Sequence, residues 1–115
     1  MPSLKGVVLA CRRRELLLEA ERGPIRTVDG TANSVEALVR RKAALGLERA
    51  GLARTYLAPG LDNASAWRKR LVHVELTPLG KALVVVAKKR LLNGRQMRWA
   101  ELEPKIAAAL EAQAA

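Results

Sequence analysis

The chain has little from which to build a covalent or metal-held scaffold. Cys11 is its single cysteine and His73 its single histidine, so no disulfide closes within it and no zinc site can be assembled from one of each. Phenylalanine is absent and aromatics make up 3% of the residues. The core must therefore come from Leu, Val, Ala and Ile, which favours helices packed through small side chains. The same shortage argues against single-stranded nucleic acid, which is usually gripped on exposed aromatic platforms. Long apolar runs are missing too. Gly6 to Cys11, which leads into Arg12-Arg13-Arg14, is too short for a membrane span, and a signal peptide carries its charges ahead of such a run. A cytoplasmic protein is expected, nucleoid-associated if the source is prokaryotic. The chain also lacks a glycine-rich phosphate loop, a nucleophile elbow and any pair of carboxylates that could share a cleft, so neither catalysis nor a cofactor, metal or small-molecule ligand is expected.

Acidic residues are scarce: 11 Asp and Glu face 21 Lys and Arg, a net charge of +10 over 115 residues. That excess works against compaction through self-repulsion, and its usual use is to hold a polyanion. Half of the residues are apolar, enough for one domain with a modest core.

Local patterns predict an α+β, mainly helical chain. Residues 3–22 read as a first helix with Leu4, Val7, Val8, Cys11 and Leu18 on its buried face, ended by Gly23-Pro24. Ile25 to Val28 form a brief strand. Thr31 to Ser34 cluster N-cap residues ahead of a long helix whose core face is Val35, Val39, Ala43, Leu47 and Ala50, continuous or bent at Gly46. Two strands follow, 54–58 and 69–76, as an antiparallel hairpin. Thr77-Pro78 opens a helix that stops near Asn93-Gly94, and a last helix starts around Glu103-Pro104. Residues 1–93 read as one domain and 94–115 as a C-terminal helical extension.

Leu47-Glu48-Arg49-Ala50-Gly51-Leu52-Ala53 resembles the segment that ends the recognition helix in winged-helix regulators. Glu75-Leu76-Thr77-Pro78-Leu79-Gly80-Lys81-Ala82-Leu83 is similar to the passage from the second wing strand into the next helix in regulators of the MarR and PadR type. Together, across about Leu4 to Leu92, they resemble a winged-helix DNA-binding domain with a two-stranded β-wing and additional C-terminal helices. The helix-turn-helix is shortened, because residues 25–33 leave no room for a separate supporting helix.

The resemblance implies a transcriptional regulator that binds double-stranded DNA. Its recognition helix would offer Asn33, Ser34, Arg40, Arg41 and Lys42 to the major groove, with Arg54 at the flank. Trp67, Arg68, Lys69 and Arg70 would lie along the backbone or enter the minor groove from the wing, with Trp67 either packing over a sugar edge or anchoring the wing loop. The run Ala82 to Ala87 has no polar side, so its helix is buried either centrally in its own monomer or against a second copy. The second reading is favoured, giving a homodimer through Leu83, Val84, Val85, Val86 and Leu91, joined by Ile106 and Leu110. Two rival readings are an RNA-binding or ribosome-associated basic protein and a winged-helix interaction module of a replication or mobile-element complex. Cys11 is expected in the core, and His73 as a packed or wing-face residue without chemistry.

Overall fold

Four helices and a small antiparallel sheet follow one another along the residues that the computed structural model describes, 3–26, 34–57 and 72–114. Helix α1 is Cys11–Glu19, extended by a 3₁₀ turn at Ala20–Arg22, and is followed by strand β1, Ile25–Arg26. Then come α2 (Ser34–Arg49), β2 (Ala53–Leu57), β3 (Val72–Leu76), α3 (Pro78–Leu92) and α4 (Trp99–Ala114). The class is α+β and mainly helical, and the order is compatible with a winged-helix-like layout.

The first helix is shorter than the periodicity predicts. Residues 3–10 are not helical: Gly6 takes φ +86 and Val7 N–H closes a turn on Leu4 O at 3.0 Å. The segment is held from far away instead. Leu4 N–H donates to Glu103 Oε1 at 2.8 Å, and the Trp99 indole donates to Val7 O at 3.1 Å. Leu4 is thus fully buried, while Val8 is exposed and Cys11, at the first position of α1, is also exposed rather than in the core.

Helix α2 is continuous through Gly46. Its end satisfies the helix's last carbonyls in a Schellman turn: Gly51 at φ +78 lets Gly51 N–H reach Glu48 O and Leu52 N–H reach Leu47 O, at 3.0 and 2.9 Å. Leu47 and Leu52, brought together by that turn, are both fully buried. The helix is rotated relative to the expected face. Ala37, Ala43, Ala44 and Leu47 are buried, whereas Val35 and Val39 are exposed. Small residues on the inner side let α1 approach closely.

The sheet has the order β1-β3-β2, all antiparallel. Residues directly opposite in such a ladder share a face. Ile25, Val74 and Thr55 form one row and Leu76 with Ala53 the next, both on the core side. Arg26, His73 and Tyr56 form the outward row, where Tyr56 stacks on His73 at 5.3 Å between ring centroids. Strand β2 is an edge, and Glu48 from α2 blunts it by accepting Thr55 N–H and Oγ1–H at 2.8 and 2.9 Å.

Helix α3 begins as its sequence predicts: the Thr77 side chain caps Gly80 N–H and Pro78 occupies the first turn. Helix α4 starts at Trp99, four residues earlier than expected, with Pro104 inside it. The missing N–H of Pro104 falls opposite the carbonyl of Ala100, an exposed residue, where water can substitute. Leu102 and Ile106 of α4 join Leu83, Val84, Ala87 and Leu91 of α3 in one core with α1, α2 and the sheet. Among the described residues no helix is long and apolar enough to cross a membrane.

Two glycines make a discriminating test. A Cβ on Gly80 would sit 2.0 Å from Leu52 O, a backbone atom with no freedom to retreat. The nearest atoms to one on Gly46 would be those of the Arg13 guanidinium, from 2.5 Å. Gly80→Ala should therefore cost about 2–3 kcal/mol in urea unfolding. Gly46→Ala should stay within roughly 1 kcal/mol of the parent, because Arg13 can swing away and alanine favours the helix.

Candidate nucleic-acid interface

The residues expected to touch DNA divide into three groups. Asn33, Trp67, Arg68, Lys69 and Arg70 lie outside the described residues, and Ser34 is described only as the first position of α2. The second group is turned inward. Arg40 lies on the α1 side of α2 with its side chain 14% exposed, ion-paired with Glu19 and 4.0 Å from Glu15. It joins two helices and is not placed to read bases, contrary to its expected role. Arg41 is half-buried, and its Nε is enclosed without a hydrogen-bond partner among the described residues.

The third group faces solvent. Lys42 and Arg49 are exposed, with no acid partner among the described residues. At helical spacing they share a side of α2 with Val35, Leu38 and Val39, which are 69%, 39% and 39% exposed. Arg54, on the outer face of β2, pairs across the ladder with Glu75 at 2.9 Å. The outward side of α2 is thus apolar and basic together, a combination that periodicity hides because the helix carries two apolar stripes.

The N-terminal arginines serve the fold. Arg12 bonds Glu15 at 3.0 Å and reaches Glu36 at 3.5 Å, linking α1 to α2. Arg13 donates to Val8 O at 2.8 Å and Arg14 to Arg95 O at 3.2 Å.

The apolar helix expected to need a partner is covered by its own chain. Leu83, Val84, Leu91 and Ile106 are buried in the monomer core. Val86 and Leu110 are packed against it. Of the seven positions only Val85 stands open, at 70% exposure. Helix α4 supplies the cover that a second subunit was expected to give.

One cluster was missed. Lys88, Lys89, Arg90, Arg95 and Arg98 line a concavity of about 950 Å³ at the elbow between α3 and α4. The signal was in the sequence as cations at 88–90, 95 and 98, but nothing local showed that the elbow folds them around one space.

In comparisons with known proteins, the chain matches no family model, no curated protein and no solved structure. The geometry therefore carries the functional argument alone.

Two measurements test these assignments. Arg40→Ala should destabilise the fold by roughly 1–2 kcal/mol through loss of charge-assisted bonds to α1, while Lys42→Ala should leave unfolding unchanged. The Glu15 carboxyl is held below the ordinary glutamate value, chiefly by the Arg12 hydrogen bond and then by the Cys11 thiol. The unfolded chain then binds more protons than the folded one, so this contribution is present above the unfolded pKa and is lost as pH falls through the folded one. Carboxyl NMR titration should find the Glu15 midpoint low, and Arg12→Ala should move it up.

Proposed function

We propose that the protein is a duplex-DNA-binding regulator of winged-helix type. The observation that carries this reading is the union of α2 and the β2–β3 hairpin. A 16-residue helix turns Val35, Leu38, Val39 and Lys42 outward, and the hairpin that follows is tied to its end by Glu48 and Gly51. A helix of this width fits the major groove, where Val and Leu can meet thymine methyl groups and Lys42 and Arg49 can reach phosphates. The net charge of +10 supplies the long-range attraction. Recognition by α2 then depends on apolar contacts and on Lys42, with Arg40 holding the helix in place from behind.

The exposed apolar stripe favours one second reading. Val35, Leu38 and Val39 would equally suit a protein partner, making the domain an interaction module.

Fluorescence anisotropy of a mixed-sequence duplex at several salt concentrations separates the two. DNA binding predicts micromolar or tighter affinity that weakens steeply with salt. Lys42→Ala with Arg49→Ala should lower the log–log salt slope by about one unit per lost phosphate contact. No binding at low salt would remove the DNA reading and leave the protein-partner one.

A further inference from the structure

We infer that the elbow between α3 and α4 is a phosphate-binding site, and that it holds the sugar-phosphate backbone of the bound duplex. The second half rests on the DNA reading above; the anion chemistry does not.

The case begins with cations gathered against their own repulsion. Five basic residues between Lys88 and Arg98 line the concavity, and no carboxylate is among the described residues that line it. Two of the five are already engaged at its edge. Lys88 pairs with Glu21 at 3.0 Å, and Arg90 lies 3.5 Å from Glu101. Lys89, Arg95 and Arg98 are exposed, with no carboxylate in ion-pairing range among the described residues. The helix dipole explains a lysine in the last turn of α3. It does not explain Arg95 and Arg98, which lie past the helix end.

The elbow is also built to keep its shape. Ala87 leaves helical geometry at φ −114, ψ 19, just after three consecutive valines, so the last turn of α3 departs from the line of the first. Gly94 takes φ +65, which lets Arg95 N–H return to Arg90 O at 2.9 Å. The loop's carbonyls are then claimed from two sides: Arg90 donates to Gln96 O and Arg14 to Arg95 O, both at 3.2 Å. Trp99 fastens the far end to Val7 O at 3.1 Å. Arginine donors thus occupy carbonyls that would otherwise oppose an anion, and much of the ordering cost is met before a ligand arrives. A guanidinium presents a planar fork that matches a phosphate group, so two arginines and a lysine around one hollow suit phosphate better than a lone carboxylate.

Two phosphate sources share this chemistry, a nucleic-acid backbone and a free polyphosphate. The test uses the full chain labelled with ¹⁵N, titrated separately with inorganic tripolyphosphate and with a short mixed-sequence duplex. Alongside it, Lys89→Ala/Arg95→Ala/Arg98→Ala is compared in anisotropy with Arg22→Ala/Lys81→Ala/Lys105→Ala, which removes the same charge from exposed sites elsewhere. Both probes should shift amides of residues 88–98. The elbow variant should lose about two to three units of salt slope and at least about tenfold in duplex affinity, well beyond the control. Duplex binding that leaves these amides unmoved, or equal losses in both variants, would overturn the elbow's assignment to the duplex backbone while leaving the DNA reading standing. Shifts with tripolyphosphate but no duplex binding would retain the phosphate site and overturn its assignment to DNA. No shift with either probe would overturn both halves of the inference.

Discussion

Thr77 holds the centre of the molecule. Its hydroxyl donates to Gly51 O at 2.6 Å and accepts Gly80 N–H at 3.1 Å, while its own N–H donates to Leu52 O at 3.1 Å. One residue thereby joins the exit of α2, the entry to β2, the exit of β3 and the first turn of α3. The absence of a side chain at Gly80 allows the backbones to come this close. Leu52, Leu76, Leu79 and Leu83 are buried and join one core around the joint. The angle between α2 and the hairpin, on which any docking to a duplex depends, follows from this junction.

Arginine has two distinct uses here. With few aromatics and no disulfide, the chain employs arginine as its long-range fastener, since a flexible stem carrying five donors can reach a carbonyl or carboxylate on another element. Arg13, Arg14, Arg40 and Arg90 do this for residues 3–10, the α3–α4 loop and the α1–α2 contact. Among the described residues, outward cations without an acid partner include Lys42 and Arg49 on the open side of α2 and Lys89, Arg95 and Arg98 at the elbow, with others such as Arg22, Lys81 and Lys105 spread over the surface. Net charge alone does not distinguish a fastening arginine from a binding one, and Arg40 is the clearest case. It sits in the basic run Arg40-Arg41-Lys42, yet of those residues it is the one committed to α1.

The cover over α3 shows how burial is shared in a small domain. An apolar run without a polar side needs neighbours around it, and the chain finds them in α1, the sheet and α4. Helix α4 reaches back along α3, with Gln113 donating to Pro78 O at 3.4 Å. Its own start is fastened by Trp99 to the N-terminal segment. The N-terminal segment is therefore joined to the first turns of α4, and a second subunit is not required to bury Leu83, Val84 or Leu91.

The sequence by itself determined the features that are made within a few residues. The Thr77-Pro78 start of α3, its end at Asn93-Gly94, the exit of α2 at Gly51 and the strands of the hairpin all follow from capping, fixed φ and alternation, which act locally. The two passages read as winged-helix-like were legible separately, but only the folded chain brought them into contact. Tertiary structure alone decided the rest. Residues 3–10 carry an apolar pattern compatible with a helix, yet Glu103, 99 positions away, holds Leu4 in a different conformation. Helix α2 has two apolar stripes, and the choice fell on the alanine side because α1 packs closely and offers Glu15 and Glu19 to Arg40. The elbow exists because a kink, a left-handed glycine, the local Arg90 and the distant Arg14 close one loop. Local chemistry sets where elements begin and end; which of their faces is buried depends on neighbours that no short stretch of sequence contains.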